Sequence, residues 1–309
     1  MISFASLCLF SGAHFDVTGR LAGPAIAGVS NPGRMERHPG GASLNAASIA
    51  AALGLPCSLS SPIGEDADGP ALRNVVATRG IGDALFELPD VVTGTYTAIM
   101  QNDGDMVIGL ADLGIYEQAG AHAYLEAGDG ASLKTRAWFL PANLTEQALA
   151  ELCSAAGDRF LAMASISPAK SVRLKGMLGN CDLLFTNRGE AAAITGLADA
   201  GTEELAQALA ELGVNAGTIS DGAKPLVWWA GSNGGTLQGE TVGTLADVNG
   251  AGDALAGATL AALAKGKAFD AAVRLGMAAA RLVLKSREPY LPGLDWAALE
   301  AEAKTVSAC

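Results

Sequence analysis

Between residues 137 and 220 short apolar runs and helical segments take turns along the chain. Ala137–Leu140, Phe160–Ser165, Asp182–Thr186 and Ala216–Ser220 have the length and apolar content of strands. The stretches Thr145–Ala156, Ser171–Leu178, Arg188–Thr195 and Glu203–Leu212 carry helical spacing. This alternation constrains the chain to an α/β fold, because strands joined through helices run parallel in a sheet covered on both faces. Residues 3–11 and Cys57–Ile63 read as further strands, with helices at Leu44–Leu53 and Asp68–Arg79 closed by Gly54 and Gly80. Val227–Trp229 and Thr236–Thr241 read as a hairpin pair, and helices at 252–264, 268–286 and 295–306 close the chain.

Two segments break the pattern. Residues 12–39 are dotted with glycine and proline, and 92–112 hold an alternating hairpin about the turn Asn102-Asp-Gly-Asp105. We read both as a small β-strand lid over the ligand edge of the sheet. No repeat or interdomain linker divides the sequence, so residues 1–309 are expected to form a single domain.

Half of the residues are apolar, enough to bury a sizeable core. Lysine and arginine number 20 against 32 acidic residues, and the net charge of −12 argues against nucleic-acid or anionic-membrane binding. The five cysteines are scattered and the histidines are three (His14, His38, His122), a poor basis for a zinc site. The apolar surroundings of Cys8, Cys57 and Cys181 suit buried thiols in a reducing compartment. The apolar N-terminus has no basic flank and reads as a buried strand, and no apolar run is long enough to cross a bilayer. A cytoplasmic protein is expected.

The chemistry is concentrated in Asp247-Val-Asn-Gly-Ala-Gly-Asp253, which runs into an Ala/Leu-rich helical segment past Gly257. Gly250, Ala251 and Gly252 let a ligand approach the first-turn N–H groups, which lack intrahelical partners and attract anions. Asp253, a poor anion binder, makes sense there as a base beside the anion, an arrangement suited to phosphoryl transfer to an alcohol. The plainer alternative is a strand-to-helix turn whose aspartate favours the helix dipole. A dinucleotide-binding loop fails on spacing, since Leu255 stands where a third glycine belongs, and no P-loop is present.

Other candidates follow strand ends. Gly40-Gly41 precede a helix from which Asn45 can project an amide toward a polyol, or Ser43 can simply cap the helix. Asp16 can accept sugar hydroxyls. Asp66 and Asp68 sit in an acidic turn that suits a helix N-terminus. Asn187 and Glu190 share a helical face and can hold a magnesium water shell, form a capping box, or both. Ser220-Asp-Gly222 ends a strand and can turn against a nucleotide.

Taken together these motifs resemble the PfkB/ribokinase family of sugar and nucleoside kinases, over nearly the whole chain. The likeness rests on Gly40-Gly41 with Asn45, Leu53-Gly54, Gly64-x-Asp66-x-x-Gly69, Asn187-x-x-Glu190, and Asp247-x-x-Gly250-Ala-Gly-Asp253 with Gly257. Within that family Ser30–Gly33, Asn102–Asp105 with Ala111-Asp112, and Pro141–Leu144 with Asn143 look most like the pseudouridine kinases. Val248, Lys224-Pro225 and Pro141 depart from the usual family residues.

The resemblance implies a ribokinase-like fold and ATP with Mg2+ as cofactors. It implies Asp253 as base, Gly250–Gly252 as anion hole, Asn187, Ser220 and Gly222 toward ATP, and Glu190 toward magnesium through water. It further implies Asp16, Gly40, Gly41, Asn45 and Asn143 toward the substrate, a monovalent cation such as K+ at Asp247, and a homodimer built through the lid. The expected reaction is phosphorylation of a primary hydroxyl on a small sugar or nucleoside, with pseudouridine first and Asn31 or Asp112 reading its extra N–H. Ribokinase, fructokinase and other nucleoside kinases are the alternatives, and a non-catalytic sugar- or nucleotide-binding regulator is the alternative from another class.

Overall fold

Strands whose side chains are buried on both faces cannot alternate polar and apolar residues, and the central strands here do not. The computed structural model describes residues 4–242, 250–286 and 290–309. Its strands are β1 (Leu7–Phe10), β2 (His14–Leu21), β3 (Gly33–Gly40), β4 (Cys57–Gly64), β5 (Gly82–Leu88), β6 (Thr95–Met100), β7 (Met106–Asp112), β8 (Ala137–Pro141), β9 (Phe160–Ala164), β10 (Leu183–Asn187), β11 (Ala216–Ser220), β12 (Leu226–Ala230), β13 (Asn233–Gly239) and β14 (Val306–Ala308). Every residue of β1 and β8 is buried, as in a sheet sandwiched between helices.

The large sheet runs in the order β14-β13-β12-β11-β10-β9-β8-β1-β4-β5. Pairing is parallel from β11 to β5 and antiparallel at the β12, β13 and β14 end. From β1 the chain first adds strands on one side, β4 and β5, and then on the other, beginning with β8. The C-terminal ends of β1 and β8 therefore border a topological switch point, where open α/β sheets form their ligand crevice.

One core lies against the helices Ala42–Ala52, Asp68–Thr78, Ala251–Ala264, Phe269–Leu284 and Trp296–Ala303. The other lies against Ala121–Gly130, Glu146–Ala156, Arg188–Thr195 and Thr202–Glu211. Leucines such as Leu149, Leu152 and Leu205 are fully buried there, each worth about 1.5–3 kcal/mol. Helices Ala42–Ala52 and Ala251–Ala264 consist almost wholly of small and apolar residues because they are buried nearly all round. They approach closely at Gly257, where a Cβ would stand 2.3 Å from the Ala46 carbonyl oxygen.

The segments that broke the alternation form a separate four-stranded sheet, β3-β2-β6-β7. Asp66 ties it to the body, accepting the Thr93 N–H at 2.8 Å and hydroxyl at 2.7 Å. The same carboxylate accepts the N–H groups of Asp68 and Gly69, the helix-start role expected of it. Arg37 on β3 adds an ion pair to Asp68 and lies over the Phe15 ring.

Several expectations need correction. Ser171–Leu178 is no α-helix: a short helix, Pro168–Ser171, leads into a tighter 3-10 stretch, Val172–Asn180, that contains Gly176 and Gly179. The last helix ends at Ala303, and the chain then adds β14 beside β13. β5 and the helix Ala121–Gly130 were not anticipated. Ser43 does not cap its helix; its hydroxyl donates to the Phe10 carbonyl at 2.7 Å. Asp247 and Val248 lie outside the described residues.

Candidate active site

A cleft of about 680 Å³ opens along the C-terminal ends of β1, β8, β9, β10 and β11. Residues from across the sequence meet in it: Asp16, Gly41, Asn45, Asn143, Asn187, Glu190, Ser220, Gly250, Gly252 and Asp253 all line its wall. Gly40, Gly222 and Ala251 do not line it. Gly40 lies under Asp16, where a Cβ would overlap the carboxylate, so its part is to let Asp16 sit down against β3. A second concavity, between Pro39, Arg79 and Tyr290, has no carboxylate among the described residues of its lining.

Asp253 stands in the first turn of the helix Ala251–Ala264 and is half-buried. Asn45 donates its Nδ2 to Asp253 Oδ2 at 3.0 Å, a contact that the approach at Gly257 makes possible. Burial pushes the Asp253 carboxyl from its ordinary 3.8 to about 6; the Asn45 hydrogen bond and His14 pull it down, while Asp16 and Glu190 push it up. The remaining side-chain atom of Asn45, Oδ1, is buried without a hydrogen-bond partner. A buried acceptor of this kind costs about 1–3 kcal/mol until a donor reaches it.

Gly250 caps the same helix in the left-handed region, φ 78°, with no side-chain cap hydrogen bond. Its glycine identity follows from that φ, which an L side chain rarely adopts. A Cβ on Gly252 would meet no protein atom within 4 Å. The space over this turn is thus kept clear, and the uncapped N–H groups form a cradle for an anion.

On the opposite wall Asn187 accepts the Glu190 N–H at 3.0 Å, and the Glu190 carboxylate accepts the Asn187 N–H at 3.1 Å. This is a complete capping box. Glu190 is buried, and Ser165 also donates its hydroxyl to the carboxylate. Among the described residues no three His, Cys, Asp or Glu side chains gather into a direct metal site. A magnesium ion here would need phosphate oxygens and water as its ligands, the usual habit of Mg2+, and Glu190 is the carboxylate available behind them.

On the third side His14 Nε2 lies 3.2 Å from Asp16 Oδ1, and His14 Nδ1 lies 2.9 Å from the Tyr116 hydroxyl. Tyr116 is fully enclosed and donates to the Ala13 carbonyl at 2.9 Å, so this chain orients Asp16. Lys170 also lines the cleft, its Nζ donating to Asn143 Oδ1 at 2.9 Å. Sequence reasoning missed His14, Tyr116, Ser165 and Lys170. The signal available for His14, Ser165 and Lys170 was position alone, since each follows a strand that ends at the crevice.

Asn31, one of two residues expected to read a nucleoside ring, does not line the cleft. Its amide is spent on its own loop, accepting from the Ile26 N–H and donating to the Ile26 and Val29 carbonyls. Asp112 is exposed at the end of β7 and is not in the lining either, whereas Tyr96, Ala111 and Leu113 are.

A mainly parallel sheet, a crevice at its switch point, a helix N-terminus open to anions and a half-buried carboxylate beside it define a phosphotransferase with an alcohol acceptor. The chain belongs to the pfkB family of carbohydrate kinases, whose pattern matches residues 8–296. It is 26% identical over 293 residues to the pseudouridine kinase of Escherichia coli (strain K12), with 93% of each chain covered. Among solved structures it resembles a carbohydrate kinase from Agrobacterium tumefaciens (33% identity, TM-score 0.84, 98% of both chains). Its fold also matches a ribokinase II from E. coli in complex with ATP and Mg2+ (16% identity, TM-score 0.81, 97% and 99% covered). The fold is thus ribokinase-like, and the family's substrates are small sugars and nucleosides. Among the described residues no helix is long and apolar enough to cross a membrane.

Proposed function

We propose that this kinase uses ATP and Mg2+ to phosphorylate a primary hydroxyl, and that pseudouridine is the preferred acceptor, giving pseudouridine 5′-phosphate. The observation that carries the reading is the half-buried Asp253 carboxylate, raised to about 6, bonded to Asn45 and flanked by the open turn Gly250–Gly252. A base raised toward neutrality is ionised at working pH and still basic enough to accept a proton. Asp253 takes the proton of the acceptor hydroxyl as its oxygen bonds to the γ-phosphorus and the bond to ADP breaks. Asn45 fixes the carboxylate, and its orphaned Oδ1 suits a second hydroxyl of the acceptor. Asp16, oriented by His14, and Gly41 hold the sugar.

The N–H groups of residues 250–253 receive the charge that grows on the transferring group. Asn187 and Ser220 would line the nucleotide side, and Glu190 would hold magnesium through water, the ion supplying charge neutralisation at the phosphates when bound. A monovalent cation at Asp247 remains part of the proposal through the resemblance alone. The small sheet β3-β2-β6-β7 serves as a lid, since it supplies Asp16, Tyr96 and Ala111 to the cleft wall. Lid closure keeps water from the γ-phosphate.

The preference for pseudouridine is supported by the 26% likeness over nearly the whole chain. With Asn31 spent and Asp112 outside the lining, a ring reader has to come from groups such as Asn143, Ser167 or Tyr96. Purified protein assayed for ATP consumption against pseudouridine, uridine, adenosine, ribose and fructose tests both levels. A specificity constant for pseudouridine no better than for uridine or ribose removes the preference and leaves the kinase.

A further inference from the structure

Among the described residues the cleft is lined by three carboxylates, Asp16, Glu190 and Asp253, against a single lysine or arginine, Lys170. ATP adds several more negative charges, so the one ammonium facing that space is electrostatically conspicuous. The neighbouring Arg173 is used elsewhere: it donates to the Leu144 carbonyl at 3.0 Å, pairs with Glu117 at 2.8 Å and is absent from the lining. Among the described residues Lys170 has no carboxylate partner. Its hydrogen bond goes to the neutral Asn143 Oδ1, an acceptor that positions an ammonium without cancelling its charge. Burial, and then the like charge of Arg173, lower the pKa of the Lys170 ammonium; Glu117 opposes them. Lys170 is thus a cation taken partly out of water and held ready for an anion.

The loop that delivers it is unusual. Ile166, which also lines the cleft, has φ 69°, a left-handed conformation costly for a β-branched residue. That loop follows β9, which lies between β8, leading to Asn143, and β10, leading to Asn187 and Glu190. Lys170 thus enters between the proposed acceptor side and the proposed nucleotide side.

Resting on the kinase mechanism proposed above, we infer that Lys170, mounted on Asn143, is a catalytic residue that binds the γ-phosphoryl group during transfer. Asn143 becomes a positioning residue for that cation and not primarily a sugar ligand. Removing one preorganised donor to a developing oxyanion lowers kcat by about 10²–10³.

The test uses full-length Lys170→Met, Lys170→Arg and Asn143→Ala. Steady-state kinetics are combined with binding of Mg·ADP plus aluminium fluoride in the presence of acceptor, a mimic of the transferring group. Lys170→Met is expected to lose kcat by that factor and to lose the fluoride complex, while acceptor binding and Tm stay near wild type. Lys170→Arg is expected to recover part of both, and Asn143→Ala to lose less than Lys170→Met. Lys170→Met with kcat within about threefold of wild type overturns the assignment. So does a loss confined to acceptor KM, which would make Lys170 a reader of the acceptor. Wild-type protein that transfers phosphate to no acceptor in the panel would instead overturn the underlying mechanism, and this assignment with it.

Discussion

Asp253→Asn separates the chemical role of this side chain from its structural cost, because the two effects have opposite signs. An aspartate ionises at 3.8 in its ordinary setting and at about 6 where burial holds it here. At 1.36 kcal/mol per pKa unit, keeping that charge in the folded protein costs about 3 kcal/mol at neutral pH. The folded pKa is raised, so the unfolded chain releases its proton first. Stability is therefore unaffected by this group below pH 3.8, falls as pH rises toward about 6, and carries the full cost above it. Asparagine is neutral throughout, and its oxygen can still accept the Asn45 Nδ2–H.

The variant is thus expected to melt several degrees above wild type at pH 7.5, with the gap closing on acidification toward pH 4. Titrations of groups that do not interact with Asp253 cancel in that difference. Turnover moves the other way: loss of a general base lowers kcat by about 10²–10⁴. In wild type kcat/KM should fall as pH drops through about 6, where the free enzyme's Asp253 takes up its proton. Differential scanning fluorimetry across pH and coupled ATP assays measure both. An asparagine variant that turns over within about tenfold of wild type refutes the base. A stability gain that persists undiminished at pH 4 refutes the argument from burial.

Glu190→Gln should preserve the capping box, since glutamine can accept the same N–H. It is expected to raise the Mg2+ concentration needed for half-maximal rate with little change in Tm; a lowered Tm with unchanged magnesium titration would reduce Glu190 to a helix cap. Gly257→Ala places a methyl 2.3 Å from the Ala46 carbonyl oxygen, which forces the two buried helices apart at a cost of about 1–3 kcal/mol. It should lower Tm and kcat together because Asn45 and Asp253 sit on the two helices, and a variant with normal values of both would show that their spacing is unimportant. The edge strand β7 is exposed along its length, with Met106, Ile108 and Leu110 each more than half exposed. Pairing of that face with a second copy predicts a two-fold homodimer, checked by light scattering with substrate present; a monomer at high concentration would rule it out.

What could be read from the residues depended on whether the relevant physics was local. The helix start at Gly250–Asp253 was visible because glycine, anion-seeking N–H groups and a carboxylate fall within four positions. β3 was not, since Gly-Arg-Met-Glu-Arg-His-Pro-Gly offers no alternation and sits with most of its residues exposed. β14 is a three-residue edge strand whose only local mark is Val306, tucked under the sheet. The capping and metal readings of Asn187 and Glu190 could not be parted by sequence because both need the same two side chains on the same helical face. The structure contains the cap and leaves Glu190 in the cleft wall, so the readings are compatible.

Contacts between distant motifs, and side chains outside any motif, were hidden for a different reason. Asn45 and Asp253 were each legible, but they lie 208 positions apart, and their meeting depends on two helices packing across a glycine. His14 and Lys170 follow two different strands that come to one crevice only once the sheet order is known. Sheet order is therefore the missing term. Given β8 beside β1, the residues just after these strands must face one crevice, and each polar side chain there becomes a candidate before any cavity is drawn. On that argument Lys170 was as discoverable as Asp16. Both are lone charged residues beyond strand ends, and only the pairing of β8 with β1 and of β9 with β8 brings them to the same cleft.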